Sequence, residues 1–172
     1  MAEAVLSLGG NVGDVRATLA RALEMLCEDG AVTLVARSSD YATPPWGDPD
    51  QPAFVNLCAI VATTLAPHDL LRRARAVETA LGRDRGRERR WGPRPVDIDI
   101  VTYRDASGTD DAPGEVTLVT PDLALPHPRA AARAFVLVPL AEIAPDCLLG
   151  GTPVRDLVSR VDTRDITRLP SK

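Results

Sequence analysis

Hydrophobic and polar positions repeat with two different periods along the chain, and these periods predict a mixed order of strands and helices. Residues 4–8 form a short apolar run that ends at two glycines, which predicts a buried strand. Apolar residues then recur at helical spacing from Val15 to Leu26, with Asp14 as the predicted N-cap. A second strand is predicted over 32–41.

The next stretch of the pattern predicts two more strands around a second helix. A third strand is predicted over 54–64, where alternate side chains face opposite sides of the sheet. The second helix begins at Pro67, a basic loop covers 83–95, and the fourth strand covers 96–103. This β-α-β-β-α-β order predicts a ferredoxin-like α+β sandwich. Such a sandwich carries both helices on one face of the sheet, which leaves the other face for a site.

The C-terminal third predicts smaller elements. Residues 104–114 form a polar excursion, and a short strand is predicted over 115–119. A helix is predicted over about 129–135 and a short one near 154–161. We therefore expect a single domain over 1–172, with a C-terminal hairpin and short helices added to the sandwich.

Composition narrows the class of protein. Hydrophobic residues make up 45% of the 172 residues and aromatic residues only 3%, so the core is expected to be aliphatic. No apolar run reaches the roughly 18 residues of a membrane span, and the N-terminus lacks the pattern of a signal peptide. The three cysteines, Cys27, Cys58 and Cys147, are widely separated, which predicts free thiols in the cytoplasm.

The charge of the chain is unevenly distributed. The net charge is −4, which argues against a general nucleic-acid binder, and 19 of the 20 basic residues are arginine. Residues 67–94 hold nine arginines against four acids, whereas the rest of the chain carries −9. Arginine grips phosphate oxygens in a bidentate manner, so this segment is a candidate anion site.

Paired carboxylates follow the basic loop directly. Asp97 and Asp99 are two residues apart on a predicted strand, so both face the same side, while Val96, Ile98 and Ile100 face the core. Two carboxylates on a rigid face suit Mg²⁺ bound together with phosphate oxygens. An ordinary polar strand face is the alternative.

The basic loop itself allows three interpretations. It holds six arginines within residues 83–94, which is compatible with a solvated charge run, an RNA-binding patch or a polyphosphate site. Trp91 is the only aromatic residue in it, which disfavours a base-stacking platform. The neighbouring carboxylates favour polyphosphate, with metal between the acids and the phosphates. The glycines of residues 9–13 lack the spacing of a dinucleotide loop and predict a turn.

A second group of residues suits a flat polar ring. The proline loop, residues 43–52, leads into a strand on which Phe54 and Asn56 share a face. An aromatic plane beside an amide can stack on a heterocycle and bond its edge, although a core Phe beside a structural Asn gives the same pattern. His127 lies between two prolines, as either a phosphate contact or a structural histidine.

These residues resemble the family of 6-hydroxymethyl-7,8-dihydropterin pyrophosphokinases, enzymes of folate biosynthesis. The matching segments run from Val5 to about Pro145 and are LSLGGNVGD, YATPPWGDPDQPAFVN, ETALGRDRGRERRWGPRPVDIDI and LPHPRAAARAFVLVPLAEIAP. The string from Arg90 to Asp99 is the most specific of them.

The resemblance implies transfer of pyrophosphate from ATP to the hydroxymethyl group of the reduced pterin, with AMP as the other product. It implies two Mg²⁺ ions on Asp97 and Asp99, and catalytic roles for Arg83 and Arg94. The implied ATP contacts are Glu78, Arg85, Arg90, Trp91, Arg94, Ile100, His127 and Arg133. The implied pterin contacts are Thr43, Pro45, Trp46, Phe54, Asn56 and Phe135.

Two positions depart from the family pattern. Arg75 stands where the family often has Gln, and Arg89 and Arg90 compete for the position before Trp91, of which we choose Arg90. ATP and the reduced pterin are the expected partners, without nucleic acid or membrane, and the chain is expected to be a monomer. An RNA-binding ferredoxin-like module is the main alternative, and a nucleotidyltransferase is a weaker one.

Overall fold

The computed structural model describes residues 1–105 and 114–171, and its strands form mainly one antiparallel sheet. The strands are β1 Ala2–Gly10, β2 Val32–Arg37, β3 Tyr41–Thr43, β4 Phe54–Thr63, β5 Asp97–Asp105, β6 Gly114–Glu115, β7 Leu118–Val119, β8 Ala124–Leu125, β9 Leu148–Leu149, β10 Thr152–Pro153 and β11 Thr167–Arg168. The main sheet has the order β11-β3-β4-β1-β5-β6, and β2 also pairs with β4. The helices are α1 Val15–Leu26, α2 Pro67–Ala80, α3 Ala134–Ile143 and α4 Val154–Val158. This arrangement confirms the predicted ferredoxin-like α+β class.

The two faces of the sheet bury different cores. On one face α1 and α2 pack their leucine stripes against Leu6, Leu57 and Ile98. On the other face α3 and α4 cover Val5, Cys58 and their neighbours. Because side chains alternate along a strand, Ser7 and Gly9 of β1, Asn56 of β4 and Asp99 of β5 also lie on this second face, beyond the end of α3. That uncovered end positions the site.

The predicted strand over 32–41 is wrong in its continuity. It is broken into β2 and β3, which pair with different parts of β4. At the break, the Ser38 hydroxyl accepts a hydrogen bond from the Cys58 backbone N–H at 3.0 Å. Asp40 is held there by Arg16 and Arg37, each at 2.7 Å. Side-chain bonds thus replace the regular ladder at this corner. The strand predicted over 115–119 is likewise split, into β6 and β7.

The predicted helix over 129–135 is also misplaced. Residues Ala130–Ala132 form a single 3₁₀ turn, and α3 begins only at Ala134 and includes Pro139. Proline inside a helix costs about 3 kcal/mol. Val136, Leu137 and Leu140 are almost fully buried against the sheet, and each such side chain contributes about 1.5–3 kcal/mol. The free energy gained by packing these side chains therefore outweighs the cost of the proline.

The remaining small elements agree better with the pattern. The predicted C-terminal hairpin is the pair β9 and β10, and the short helix near 154–161 is α4. The three cysteines are free thiols. No helix in the described residues is long and apolar enough to span a membrane. Most of the predicted excursion at 104–114 lies outside the described residues.

Leucines on adjacent strands provide a test of the core. Leu57 of β4 is fully buried, whereas Leu34 of β2 is 41% exposed. We expect Leu57→Ala to lower the free energy of unfolding by about 2–5 kcal/mol because it leaves a cavity, and Leu34→Ala by less than about 1 kcal/mol. Urea unfolding followed by circular dichroism measures both. Equal losses would contradict the assigned core.

Candidate active site

The floor of the site is formed where the central strands carry small residues. Gly9 of β1 lies opposite Asn56 of β4 and Asp97 of β5, and Ser7 lies between Cys58 and Asp99. A Cβ atom on Gly9 would stand 1.9 Å from Oδ1 of Asn56. Glycine at this position therefore allows the amide to lie over the sheet.

One cavity on this floor is lined by aromatic rings and the amide. Thr43, Trp46, Phe54, Asn56 and Phe135 all line it, so five of the six residues in the expected pterin set are brought together. The rings of Trp46 and Phe135 meet edge to face with centroids 6.1 Å apart. The Asn56 amide donates to the Thr43 hydroxyl at 2.7 Å, which fixes its orientation. The sixth residue, Pro45, instead lines a groove on the other side of Trp46.

A second cavity adjoins the first and is lined by cationic side chains. Its walls include most of the expected ATP set, namely Arg85, Trp91, Arg94, Ile100, His127 and Arg133, together with Arg83. The unexpected Arg75 also lines this cavity, and its Nη2 donates to the backbone carbonyl of Asp122 at 3.4 Å. Asp97, Asp99, Trp91, Arg94 and Arg133 line both cavities. The acidic pair therefore lies at the junction between an aromatic pocket and an arginine-lined one.

Two residues of the expected ATP set do not line the arginine cavity. Glu78 of α2 is 1% exposed and lies beneath it, where its carboxylate accepts from Arg83, from Arg85 and from the backbone N–H of Ile98 at 2.7 Å. Arg90 packs its guanidinium over the ring of Trp91, 5.2 Å from the centroid. Glu78 thus holds the β5 backbone between the two aspartates.

Arg83 is surrounded by carboxylates. Its Nη1 donates to Glu78 at 2.9 Å and to Asp97 at 2.5 Å, and its Nε donates to Glu88 at 2.9 Å. Burial opposes its charge, but the neighbouring carboxylates of Asp97, Glu88 and Glu78 raise the pKa of Arg83. Glu88 could not be identified from the sequence, because a glutamate within a run of arginines gives no signal of its partner.

The two aspartates have opposite electrostatic environments. Burial alone would raise the pKa of Asp97, but Arg83 and Arg94, the latter 3.2 Å from its carboxylate, lower it. Burial and the charge of Asp97 raise the pKa of Asp99 to about 7. Its cationic neighbour, Arg133, is 3.5 Å away. Asp99 is therefore the carboxylate that gains most from an added cation.

The donor set fits a magnesium ion that takes its other ligands from a substrate. Asp97 and Asp99 are the two carboxylates facing the junction, and the described residues contain no group of three or more His, Cys, Asp or Glu suited to a metal. Mg²⁺ commonly binds through one or two carboxylates and completes its shell with phosphate oxygens and water. The pair is thus suited to metal bound together with polyphosphate.

His127 is neutral and oriented towards the acidic pair. Burial and the nearby Arg133 lower the pKa of His127 to about 4. Its Nδ1 accepts from the Arg129 backbone N–H at 3.2 Å, which places the proton on Nε2, 3.7 Å from Asp99. The ring can therefore donate a hydrogen bond at this edge of the arginine cavity.

Arg133 joins the two cavities. Its side chain is 7% exposed and its guanidinium carbon lies 5.3–5.8 Å from the ring centroids of Trp46, Trp91 and Phe135. Its Nε is buried and has no hydrogen-bond partner among the residues that the structure describes. A buried donor is costly when unpaired, so this nitrogen favours an acceptor supplied by a ligand.

The family of the chain follows from comparison with known proteins. Residues 5–145 match the family described as 7,8-dihydro-6-hydroxymethylpterin-pyrophosphokinase (HPPK). The chain belongs to the HPPK family. This confirms the resemblance and the expected pyrophosphokinase of folate biosynthesis, for which ATP is the co-substrate, whereas the RNA-binding alternative finds no support.

Relatives of this family cover nearly the whole chain. The 2-amino-4-hydroxy-6-hydroxymethyldihydropteridine pyrophosphokinase of Methylorubrum extorquens is 47% identical over 98% of this chain and 99% of that protein. The Pseudomonas aeruginosa enzyme of the same name is 40% identical over 96% and 95% of the two chains.

Solved structures of HPPK-DHPS chains share the fold. One, in complex with substrates, superimposes with a TM-score of 0.68 at 14% identity and covers 99% of this chain. Another, from Plasmodium falciparum, has a TM-score of 0.63 at 15% identity and covers 93% of this chain. This chain spans less than half of each of them, 46% and 43%.

The close approach at Gly9, together with the expected role of Asn56 as a pterin contact, predicts a specific defect in pterin binding. Gly9→Ala must displace the Asn56 amide, so we expect the affinity for the reduced pterin to fall at least about tenfold, in line with the loss of one buried hydrogen bond. Gly114→Ala is the control, because no heavy atom of the described residues outside its chain neighbours lies within 4 Å of a Cβ placed there. Calorimetric titration measures both, and an unchanged affinity in Gly9→Ala would refute the position of Asn56.

The two aspartates predict opposite effects of pH on stability. The folded pKa of Asp99, about 7, exceeds its unfolded value near 3.8, so its contribution to stability is lost as pH rises between these values. We therefore expect Asp99→Asn to be more stable than the wild type at pH 8, with the difference vanishing near pH 4. Asp97→Asn should instead be less stable at pH 8, since its pKa is lowered. Urea unfolding in EDTA tests this, and a pH-independent difference for Asp99→Asn would contradict it.

Proposed function

We propose that pyrophosphate passes from ATP to the hydroxymethyl oxygen of the reduced pterin at the junction of the two cavities. One observation carries this proposal: Asp97 and Asp99 line both the aromatic pocket and the arginine-lined cavity. A heterocycle in the first pocket and a triphosphate in the second would therefore meet over the carboxylates.

The aromatic pocket is assigned to the pterin. Trp46, Phe54 and Phe135 supply apolar surfaces for the bicyclic ring, and Thr43 and Asn56 supply edge hydrogen bonds. Asn56 is 5% exposed and its amide is already oriented by Thr43, so little side-chain freedom is lost on binding. Pro45, behind Trp46, stiffens the proline loop.

The arginine-lined cavity is assigned to ATP. Arg85, Arg94 and Arg133 neutralise phosphate charge, and His127 donates from Nε2. Ile100 and Trp91 line the same cavity and supply apolar surface for the nucleoside. Glu78 acts from below by orienting Arg83 and Arg85, and Arg90 acts through its contact with Trp91.

We assign two Mg²⁺ ions to Asp97 and Asp99. Bound magnesium would supply charge neutralisation and alignment of the phosphate oxygens. The chain prepares this site by setting Asp97 and Asp99 on one strand face and by leaving Asp99 with only partial neutralisation. Arg83 and Asp97 lie on the same wall of the arginine-lined cavity. When phosphates enter, Arg83 can therefore replace its hydrogen bond to Asp97 with one to an anionic oxygen of the substrate.

Catalysis in this arrangement rests on positioning. The pterin hydroxyl attacks the β-phosphorus, the bond from that phosphorus to the α,β-bridging oxygen breaks, and AMP leaves with the electron pair. The hydroxyl proton passes from the pterin oxygen to solvent water as the new phosphorus–oxygen bond forms. Arg83 and Arg94 lie beside Asp97, where they can stabilise charge that develops on the transferred group. The orientation of the two substrates by two rigid pockets supplies the rest of the rate enhancement.

The assigned reaction is tested by following AMP. With ATP and Mg²⁺, AMP should form only when the reduced pterin is added, together with the pterin pyrophosphate. Formation of ADP would indicate γ-phosphate transfer, and free pyrophosphate with an adenylylated product would indicate a nucleotidyltransferase; either result would refute the proposal.

The role of Asp97 predicts a loss of turnover without a loss of fold. We expect Asp97→Ala to lower kcat by at least about a thousandfold, because charge stabilisation at phosphoryl transfer is worth several kcal/mol. Steady-state kinetics at saturating Mg²⁺ and circular dichroism measure the two properties. Near-normal turnover in this variant would contradict the assignment of magnesium to Asp97.

The role of Arg94 predicts a change in rate rather than in pterin binding. We expect Arg94→Ala to lower kcat by about 100-fold or more while the pterin dissociation constant changes little. Arg87→Ala is the matched control, because Arg87 is 90% exposed and pairs with Asp84 on the basic loop. A large loss of pterin affinity with normal turnover would contradict the assigned role.

We also propose that residues 1–172 act as one domain and as a monomer in the cytoplasm. Free thiols at Cys27, Cys58 and Cys147 support a reducing compartment. Sedimentation equilibrium at micromolar concentration tests the monomer, and a dimer mass would refute it.

A further inference from the structure

We propose that Glu142 is a positioning residue for the pterin, because it holds two walls of the aromatic pocket in a fixed relation. One wall is α3, where Phe135 lines the pocket and Glu142 lies at the other end of the helix. The other wall is β3, which ends at Thr43. The inference rests on the proposed function, which assigns this pocket to the pterin.

Glu142 joins α3 to β3 through its carboxylate. Its Oε2 accepts a hydrogen bond from the Tyr41 hydroxyl at 2.6 Å, and its Oε1 accepts from the Ser39 hydroxyl at 2.9 Å. The Ser39 backbone N–H donates to the same carboxylate at 3.1 Å. Burial alone would raise the pKa of Glu142, but these hydrogen bonds lower it. The carboxylate is therefore ionised at neutral pH, and each of the bonds is charge-assisted.

The strand β3 is too short to fix its own position. It has three residues, Tyr41–Thr43, and pairs with β4 on one side and with the two residues of β11 on the other. The regular ladder is interrupted just before it, at Ser38. Because so short a strand makes few ladder bonds, its alignment depends on side-chain contacts such as that between Tyr41 and Glu142.

The contact with Glu142 is relayed along β3 to the pocket. Side chains alternate along a strand, so Tyr41 and Thr43 lie on the same face. Tyr41 pairs with Asn56 across the ladder, and the Asn56 amide donates to the Thr43 hydroxyl at 2.7 Å. A shift of Tyr41 therefore moves Thr43 relative to Asn56. It would disturb the amide that the proposed function places at the edge of the pterin.

The C-terminal strand supports the network from the outside. Arg168 of β11 donates from Nε to the Ser39 hydroxyl at 2.9 Å, and its Nη2 lies 3.6 Å from the Glu142 carboxylate. Glu142 itself lines neither the aromatic pocket nor the arginine-lined cavity. Any effect of Glu142 on the pterin must therefore act through the residues that it holds, such as Tyr41.

The test compares the affinities of a Glu142 variant for the two substrates by calorimetry. α,β-Methylene ATP with Mg²⁺ is titrated into the free protein, and the reduced pterin into the complex with this analogue, so that no turnover occurs. We expect Glu142→Ala to weaken pterin binding about tenfold, through the loss of charge-assisted hydrogen bonds, and analogue binding by less than about twofold. With ATP, kcat at saturating substrates should fall by less than about threefold, because the variant leaves Asp97 and Arg94 in place.

Three further variants separate positioning from a general loss of stability. Tyr41→Phe removes one donor and keeps the ring, so we expect pterin affinity to fall about threefold or more. Glu142→Gln keeps a carbonyl oxygen that can accept from Tyr41, and it should recover most of the affinity. Leu26→Ala is the matched control, because Leu26 is fully buried in the core on the other face of the sheet. It should lower the midpoint of urea unfolding at least as much as Glu142→Ala and leave pterin affinity unchanged.

The outcomes either support the positioning role or overturn it. Normal pterin affinity in Glu142→Ala, or an equal loss of affinity for pterin and analogue, would overturn it. An equal loss of pterin affinity in Leu26→Ala would do the same. Should Glu142→Ala fail to fold, Tyr41→Phe decides the question, since normal pterin affinity in that variant would overturn the role. A wild type that binds the analogue but not the reduced pterin would instead overturn the proposed function.

Discussion

Repulsion between two carboxylates on one strand face is the constraint on which the rest of the site depends. Asp97 and Asp99 project from β5 towards the same junction, and the surrounding cations are divided unequally between them. Asp97 has Arg83 and Arg94, whereas Asp99 has the more distant Arg133. The arginines thus neutralise the negative charge of the two aspartates only in part. A cation bound together with phosphate completes the neutralisation.

The fold creates this constraint by limiting what covers the sheet. The helix α3 packs on Val5 and Cys58, and the same strand face continues to Ser7 and Gly9 beyond its end. Small residues on β1 leave the space that the Asn56 amide and the carboxylates surround. A larger side chain at Gly9 would fill the junction, so the shape of the site depends on the central strand as much as on the loops.

The sequence predicted those features that depend on local periodicity. Alternation along a strand placed Asp97 and Asp99 together, and it set Phe54 and Asn56 towards the same pocket. Features that depend on distant partners could not be predicted. The break at Ser38 requires Cys58, and α3 tolerates Pro139 only because the sheet buries its apolar side chains.

Long-range contacts also give several polar residues roles that the local sequence pattern does not indicate. Glu88, Asn11 and Gln51 resemble ordinary loop residues until the structure shows their partners at 2.6–3.0 Å. Their partners lie in other loops or in a buried network, and no spacing rule relates them. The pattern of one element can identify a strand face, whereas a network between loops requires the fold.

The most direct measurement of the central claim is the effect of Mg²⁺ on the binding of α,β-methylene ATP. Titrations with and without the metal would compare the wild type with the double variant Asp97→Asn, Asp99→Asn. The account predicts that Mg²⁺ tightens binding to the wild type by at least about tenfold and has little effect on the double variant. An equal effect of Mg²⁺ on both proteins would show that the carboxylate pair does not hold the metal.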